Sequence, residues 1–203
     1  LIGNKPYIVR IANKSTPPEK CGLKDFSQTA CGFVVEFADI VEKRKMNSTN
    51  TNVGGWPATK MRTYANEEFL KKLPSDLQSV IIDTKVVSGH GSTTGETNFT
   101  TTDNIYLLSA HEVWEDNFDR DAAYDQTRQL DYYANIDEGV TTSNYSGAIK
   151  KDINGNASTW WLRGASSNRS DSFLNVLGNG NWSSRGATGT NGFAPAFRIG
   201  KKM

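Results

Sequence analysis

Two aromatic-rich blocks near the C-terminus bracket a stretch dominated by Ser, Gly and Asn: Trp160-Trp161-Leu162-Arg163 on one side and Gly192-Phe193-Ala194-Pro195-Ala196-Phe197-Arg198-Ile199 on the other. Short blocks of aromatic and branched residues bounded by turn formers read as strands, too brief for an amphipathic helix. Phe173, Asn175 and Leu177 alternate as a third strand between them. Trp160, Trp161, Phe193 and Phe197 each carry a large area to bury and are assigned to the core. Pro195 donates no ladder hydrogen bond, which suits an edge or a bulged closing strand. Arg163 and Arg198 are expected to pair with carboxylates or backbone carbonyls rather than to do chemistry.

Upstream, the segments 7–11 and 33–40 alternate apolar residues with Arg10 and with Glu36 and Asp39, so both read as strands with one wet face. The tract 46–55 is rich in turn formers and reads as an exposed loop. Asn66 followed by Glu67 and Glu68 predicts a helix start, with Phe69, Leu70 and Leu73 as its apolar stripe and Pro74 as its end; a second short helix follows, to Ser79. Val80 to Val87 reads as a buried strand, 88–102 as a long loop and Ile105 to Leu108 as a short strand. Ser109 and Glu112 form a capping box, 119–134 reads as a surface helix and 141–156 as loop. Helices in the first half and strands in the second predict an α+β fold with two short helices from Asn66 to Ser79 and a small antiparallel sheet. The expectation is one domain over 1–203, with 1–45 either part of it or a small annex.

The 23 basic and 22 acidic residues are scattered, with no basic stripe of the kind nucleic acid or an anionic membrane demands, so neither is expected as a partner. No apolar run is long enough for membrane insertion. The chain opens at Leu1-Ile2-Gly3 without a charged-then-apolar leader, and the expectation is that a signal, anchor or domain precedes it. Cys21 and Cys31, the only cysteines, suit one disulfide, with two partly buried thiols as the alternative.

Several patterns that carry chemistry elsewhere fall short here. His90 lies in Ser88-Gly89-His90-Gly91-Ser92 without a nucleophile elbow. Gly178-Asn179-Gly180 lacks the βαβ context of a dinucleotide site, and Asp152-Ile153-Asn154-Gly155-Asn156 lacks the distal glutamate of a calcium loop. Glu115, Asp116, Asp119, Asp121 and Asp125 read as a solvated face. No catalytic residue, metal ligand or cofactor is assigned.

Three patches together carry a resemblance: Gly54-Gly55-Trp56-Pro57-Ala58-Thr59-Lys60-Met61-Arg62-Thr63-Tyr64, then Tyr106-Leu107-Leu108-Ser109, then the two C-terminal blocks. They resemble a family of domains in surface proteins of gut bacteria and their phages. The resemblance runs from about Tyr7 to Ile199 and implies a C-type-lectin-like fold, distantly similar to formylglycine-generating enzymes. It also implies kinship with the variable proteins of diversity-generating retroelements, in which error-prone copying of adenines rewrites the residues before the last strand. The span from Asn168 to Asn191 contains no Lys, Glu, Gln or Met, and nearly every residue in it except Trp182 is reachable from an Asn codon by changing adenines. An ordinary Ser/Gly/Asn loop has the same composition.

The function expected from this resemblance is ligand recognition without turnover, by an extracellular, cell-surface or virion-associated domain that binds a protein or glycan. The binding face comprises Asn168, Arg169, Ser170, Asp171, Phe173, Asn175, Leu177, Asn179, Asn181, Trp182, Ser184 and Arg185, with polar residues adaptable and aromatic or arginine residues as anchors. Side chains from Asn168 to Arg185 are expected to converge on one exposed face. The alternatives are a structural or assembly domain, and an oxidase like the formylglycine-generating enzymes, which would need a C-terminal cysteine pair that this sequence lacks.

Overall fold

The computed structural model describes residues 1–15, 17–92, 97–116 and 126–201. Among the described residues the architecture is α+β, with short helices, of which α1 (Pro18–Cys21) is the first, and three sheets around one core. A four-stranded antiparallel sheet has the order β1 (Val9–Asn13), β2 (Val34–Phe37), β11 (Ala196–Ile199), β4 (Ile81–Ile82). A five-stranded sheet runs β3 (Glu42–Lys45), β10 (Thr190–Phe193), β7 (Trp160–Ala165), β8 (Ser172–Val176), β9 (Trp182–Gly186). The third is the hairpin of β5 (Thr84–Ser88) and β6 (Phe99–Asp103).

Pro195 explains how one C-terminal stretch serves two sheets. β10 ends at Phe193, the strand breaks over Ala194 and Pro195, and β11 resumes in the other sheet. A residue without an N–H cannot extend a ladder inward, but its carbonyl can still accept, and here it takes the Phe37 N–H at 3.0 Å. Trp160, Trp161, Phe193 and Phe197 are fully buried as expected. Phe69 meets Phe193 edge to face at 5.0 Å and Phe37 at 5.7 Å, so aromatic contacts join the helical layer to both sheets.

The helical layer differs from the expectation. The helix begins six residues earlier, at α2 (Lys60–Thr63), where Thr59 caps it by accepting the Arg62 N–H at 3.0 Å. It continues through a π-helical turn (Tyr64–Phe69) into α3 (Leu70–Lys72), and α4 (Ser75–Val80) follows Pro74. Asn66 is therefore no N-cap. It sits in the π turn, and its side chain clamps the next segment by accepting from the N–H groups of Asn104 and Ile105 and donating to Ile105 O. The capping box is present: Ser109 and Glu112 frame α5 (Ala110–Val113). The surface helix expected over 119–134 is much shorter: residues 126–130 form no helix and only α6 (Asp131–Asn135) does, while 119–125 lie outside the described residues.

Three further expectations need correction. The sheet is not wholly antiparallel, since β7 and β10 pair in parallel at Gly192 and Trp160. The C-terminal region forms five strands where three were expected, because the Gly192–Ile199 block is divided at Ala194-Pro195 into β10 and β11, and because β9 is Ser, Ser, Arg and Gly after Trp182, a run with little β signature. Residues 105–108 form no strand, although all four are buried and Tyr106 bridges to Ala196. The cysteines are joined as Cys21–Cys31.

Candidate functional site

The tract 46–55, expected as a solvated loop, is the brace of the polar C-terminal segment. Asn52 is fully buried, and its Nδ2 donates to three carbonyls of one turn: Ser166 (3.0 Å), Arg169 (2.7 Å) and Ser172 (2.9 Å). Its backbone N–H reaches Ser170 O at 2.8 Å. Asn50 donates to the Asp171 carboxylate at 3.1 Å and accepts from Thr188. Asn47 donates its backbone N–H to Ala187 O, and Ala187 in turn donates to Asp171 O. Three asparagines thus hold the loop before β8 against the loop after β9. Each satisfies backbone groups that a surface loop would otherwise leave to water.

On that brace, Asn168, Arg169 and Ser170 are exposed, Asp171 is half-buried, and Arg185 is exposed on the neighbouring strand β9. Arg185 donates to Asn191 Oδ1 at 3.3 Å, while Asp171 accepts from Ser172 and, at 3.4 Å, from Arg169. The Ser172 hydroxyl, and after it Arg169, hold the Asp171 carboxyl below the usual carboxylate range. The other exposed end is the β8–β9 turn. There Leu177 N donates to Asn181 O and Gly180 N to Leu177 O, Asn179 Oδ1 accepts from Asn181 N, and Gly180 takes a φ of +91° against the Tyr145 carbonyl. The Gly-Asn-Gly motif is therefore a hairpin turn. Asn179 is exposed, and Leu177, Asn181, Trp182 and Ser184 are half-buried.

Phe173 and Asn175 do not belong to a binding face. Both are buried, at 0% and 2% exposure, because β8 lies between β7 and β9 and all five of its side chains are covered. The expected single face is likewise two patches. Residues 168–171 with Arg185 lie at one end of β8, and the turn 177–181 lies at the other, roughly 20 Å away at the strand rise per residue. The half-exposed edge strand β9 connects them.

Beneath this surface lie ionic clusters that were not read from the sequence as clusters. Glu36 and Lys150 are fully buried and 2.9 Å apart, with Arg10 at 2.8 Å and Tyr133 donating to the same carboxylate. Burial pushes Glu36 up, but Lys150 and Arg10 outweigh it and hold the carboxyl below its ordinary range. Burial also pulls Lys150 down, to about 8, against the attraction of Glu36. Glu112 and Arg163 form a second sealed pair at 2.7 Å, with Thr29 also bonded to the carboxylate, and Arg163 further donates to Val87 O and Leu107 O. Arg198 donates to Cys31 O at 2.7 Å. Both arginines thus serve the carboxylate and carbonyl partners expected of them. Lys150, Glu36, Glu112 and Arg163 have 0% side-chain exposure, and the two pairs tie distant segments together.

The remaining motifs resolve into turns. Asp152 accepts from Asn154 N and Asn156 N on one carboxylate oxygen and from Lys43 on the other. Asp116 binds the Thr142 N–H and hydroxyl, while Asp119, Asp121 and Asp125 lie outside the described residues. Among the described residues, no group of three or more His, Cys, Asp or Glu is placed to hold a metal ion.

A family profile described as "Domain of unknown function (DUF6273)" matches residues 33–201. The chain belongs to the DUF6273 family. The matched DUF6273 region takes in every strand from β2 to β11, the 46–55 brace and the C-terminal segment; β1 lies before it and pairs with β2. No curated protein and no solved structure matches the chain.

Proposed function

We propose that this DUF6273 domain is a non-enzymatic recognition module of a surface-displayed or phage-fibre protein, on a C-type-lectin-like scaffold, with a diversified face that binds a protein or glycan. The observation that carries the reading is the separation of display from stability. Asn168, Arg169 and Ser170 project into solvent, while their loop is fixed through backbone carbonyls by the buried Asn52. Because Asn52 grips the backbone and not the side chains of this loop, the side chains of 168–170 are free to differ, and surface substitutions usually change stability by no more than about 0.5 kcal/mol. Gly, Ser and Asn supply adaptable hydrogen bonding; Arg169, Arg185 and the half-buried Trp182 supply larger contacts. Phe173 and Asn175 take no part. The two cysteines are bonded to each other far from the C-terminal segment in sequence, which gives the oxidase alternative no redox pair there.

The test is a display library randomised at Asn168, Arg169, Ser170, Asn179, Asn181, Ser184 and Arg185. Most members should remain folded, and selection on arbitrary protein or glycan targets should return binders. A library in which most members fail to fold would mean that these side chains are structural, and the reading would be withdrawn.

A further inference from the structure

We infer that the groove along the edge strand β3 binds the anionic group, sulfate or carboxylate, of an acidic glycan. The inference rests on the recognition reading above and names the ligand class. The groove has a volume of about 360 Å³ and is lined by Lys43, Arg44, Lys45, Asn47, Ser48, Lys60 and Thr190. That volume falls within the roughly 300–1,000 Å³ of small-molecule sites. Four cations in one concavity stand out in a chain whose formal net charge is only +1. The register makes this concentration. Lys43 and Lys45 alternate on one face of β3, opposite Gly192 and Thr190, and the bond from Lys60 N to Asn47 Oδ1 (2.9 Å) brings the start of α2 to the same place.

The protein engages two of the four cations and leaves two. Lys43 pairs with Asp152 at 3.1 Å, and Arg44 lies 3.7 Å from Glu42 with its guanidinium stacked on Tyr64. Lys45 and Lys60 are exposed, and no carboxylate among the described residues lies within ion-pair distance of either. A concave site lined by one sign of charge focuses its potential inward, and Lys and Arg there recognise sulfate or carboxylate by charge-assisted hydrogen bonds. Ser48 and Thr190, both exposed, add hydroxyls suited to sugar hydroxyls, while Asn47 is buried and holds the groove's shape. The groove adjoins the displayed loops, since Asn47 also bonds Ala187 and Lys45 faces Thr190 across the ladder. A glycan chain held there would extend toward Asn50, Asp171 and Arg169.

The experiment measures binding of the intact chain to a heparin-type sulfated oligosaccharide, an oligogalacturonate and a neutral malto-oligosaccharide. Three variants are run beside the wild type: K45Q/K60Q in the groove, K20Q/K24Q as a charge-matched change elsewhere, and R169A/S170A/R185A on the displayed loops. The wild type should bind at least one charged probe and not the neutral one, and the preferred probe tells sulfate from carboxylate. K45Q/K60Q should lose at least about tenfold in affinity at unchanged melting temperature, while K20Q/K24Q retains it. The groove assignment is overturned if neither charged probe binds, if the neutral probe binds equally, if K20Q/K24Q loses as much, or if K45Q/K60Q binds like the wild type. In that last case, loss of binding in R169A/S170A/R185A would leave the recognition reading standing while the groove assignment falls.

Discussion

Replacing Asn52 by alanine removes the brace without touching the displayed side chains. Two N–H bonds of one amide are shared among the carbonyls of Ser166, Arg169 and Ser172, and the site is fully buried. At about 0.5–1.5 kcal/mol net for each hydrogen bond, plus the cost of leaving buried carbonyls poorly paired, the loss is roughly 2–3 kcal/mol. A domain of this size loses about 2–4 °C per kcal/mol, so the melting temperature should fall by roughly 4–12 °C. The backbone bond from Asn52 N to Ser170 O survives the substitution, so the domain stays folded. Amide exchange should accelerate across 166–172 and remain slow in β2 and β11. Asn52→Asp, which sets a carboxylate against the same carbonyls, should be worse than alanine. An Asn52→Ala protein with unchanged melting and unchanged exchange at 166–172 would show that something other than this amide holds the loop.

Two other outcomes follow from the interior. Phe197→Ala, at a fully buried position packed on Phe37, should cost about 3–5 kcal/mol and lower the melting temperature sharply in a thermal scan. Glu36 and Glu112 both have folded-state values held below the ordinary 4.5, so their contribution is complete above pH 4.5 and is lost as the pH falls through the lowered folded-state values. Melting temperatures measured against pH should therefore decline on acidification below that point, and a profile flat to much lower pH would contradict the ion-pair account.

Much of the core was legible because large apolar residues have few places to go. Trp160, Trp161, Phe193 and Phe197 are all sealed, and the Ser109/Glu112 capping box is fixed by local spacing. Polar residues were harder to place. An asparagine that braces a loop from within has the same letter as one that waves in solvent, so Asn52 and Asn66 were misplaced as loop and cap. The resemblance assigns Phe173 and Asn175 to the binding face, but a strand with neighbours on both sides and cover on both faces buries them alike. Lys150 is buried only because Glu36, 114 positions away, meets it, and no local pattern announces that pairing. The basic groove escaped notice because Lys60 joins Lys43, Arg44 and Lys45 through the fold and not through the sequence.

The central claim, that the exposed 168–185 surface recognises a ligand while the scaffold carries stability, is tested most directly by one paired measurement. Wild type and N168A/R169A/S170A/R185A are compared for binding to a ligand captured by the wild type and for melting temperature. The account predicts that binding falls by at least about tenfold while the melting temperature stays within a few degrees, as expected for surface positions. A variant that binds as well as the wild type, or one that unfolds, would contradict it.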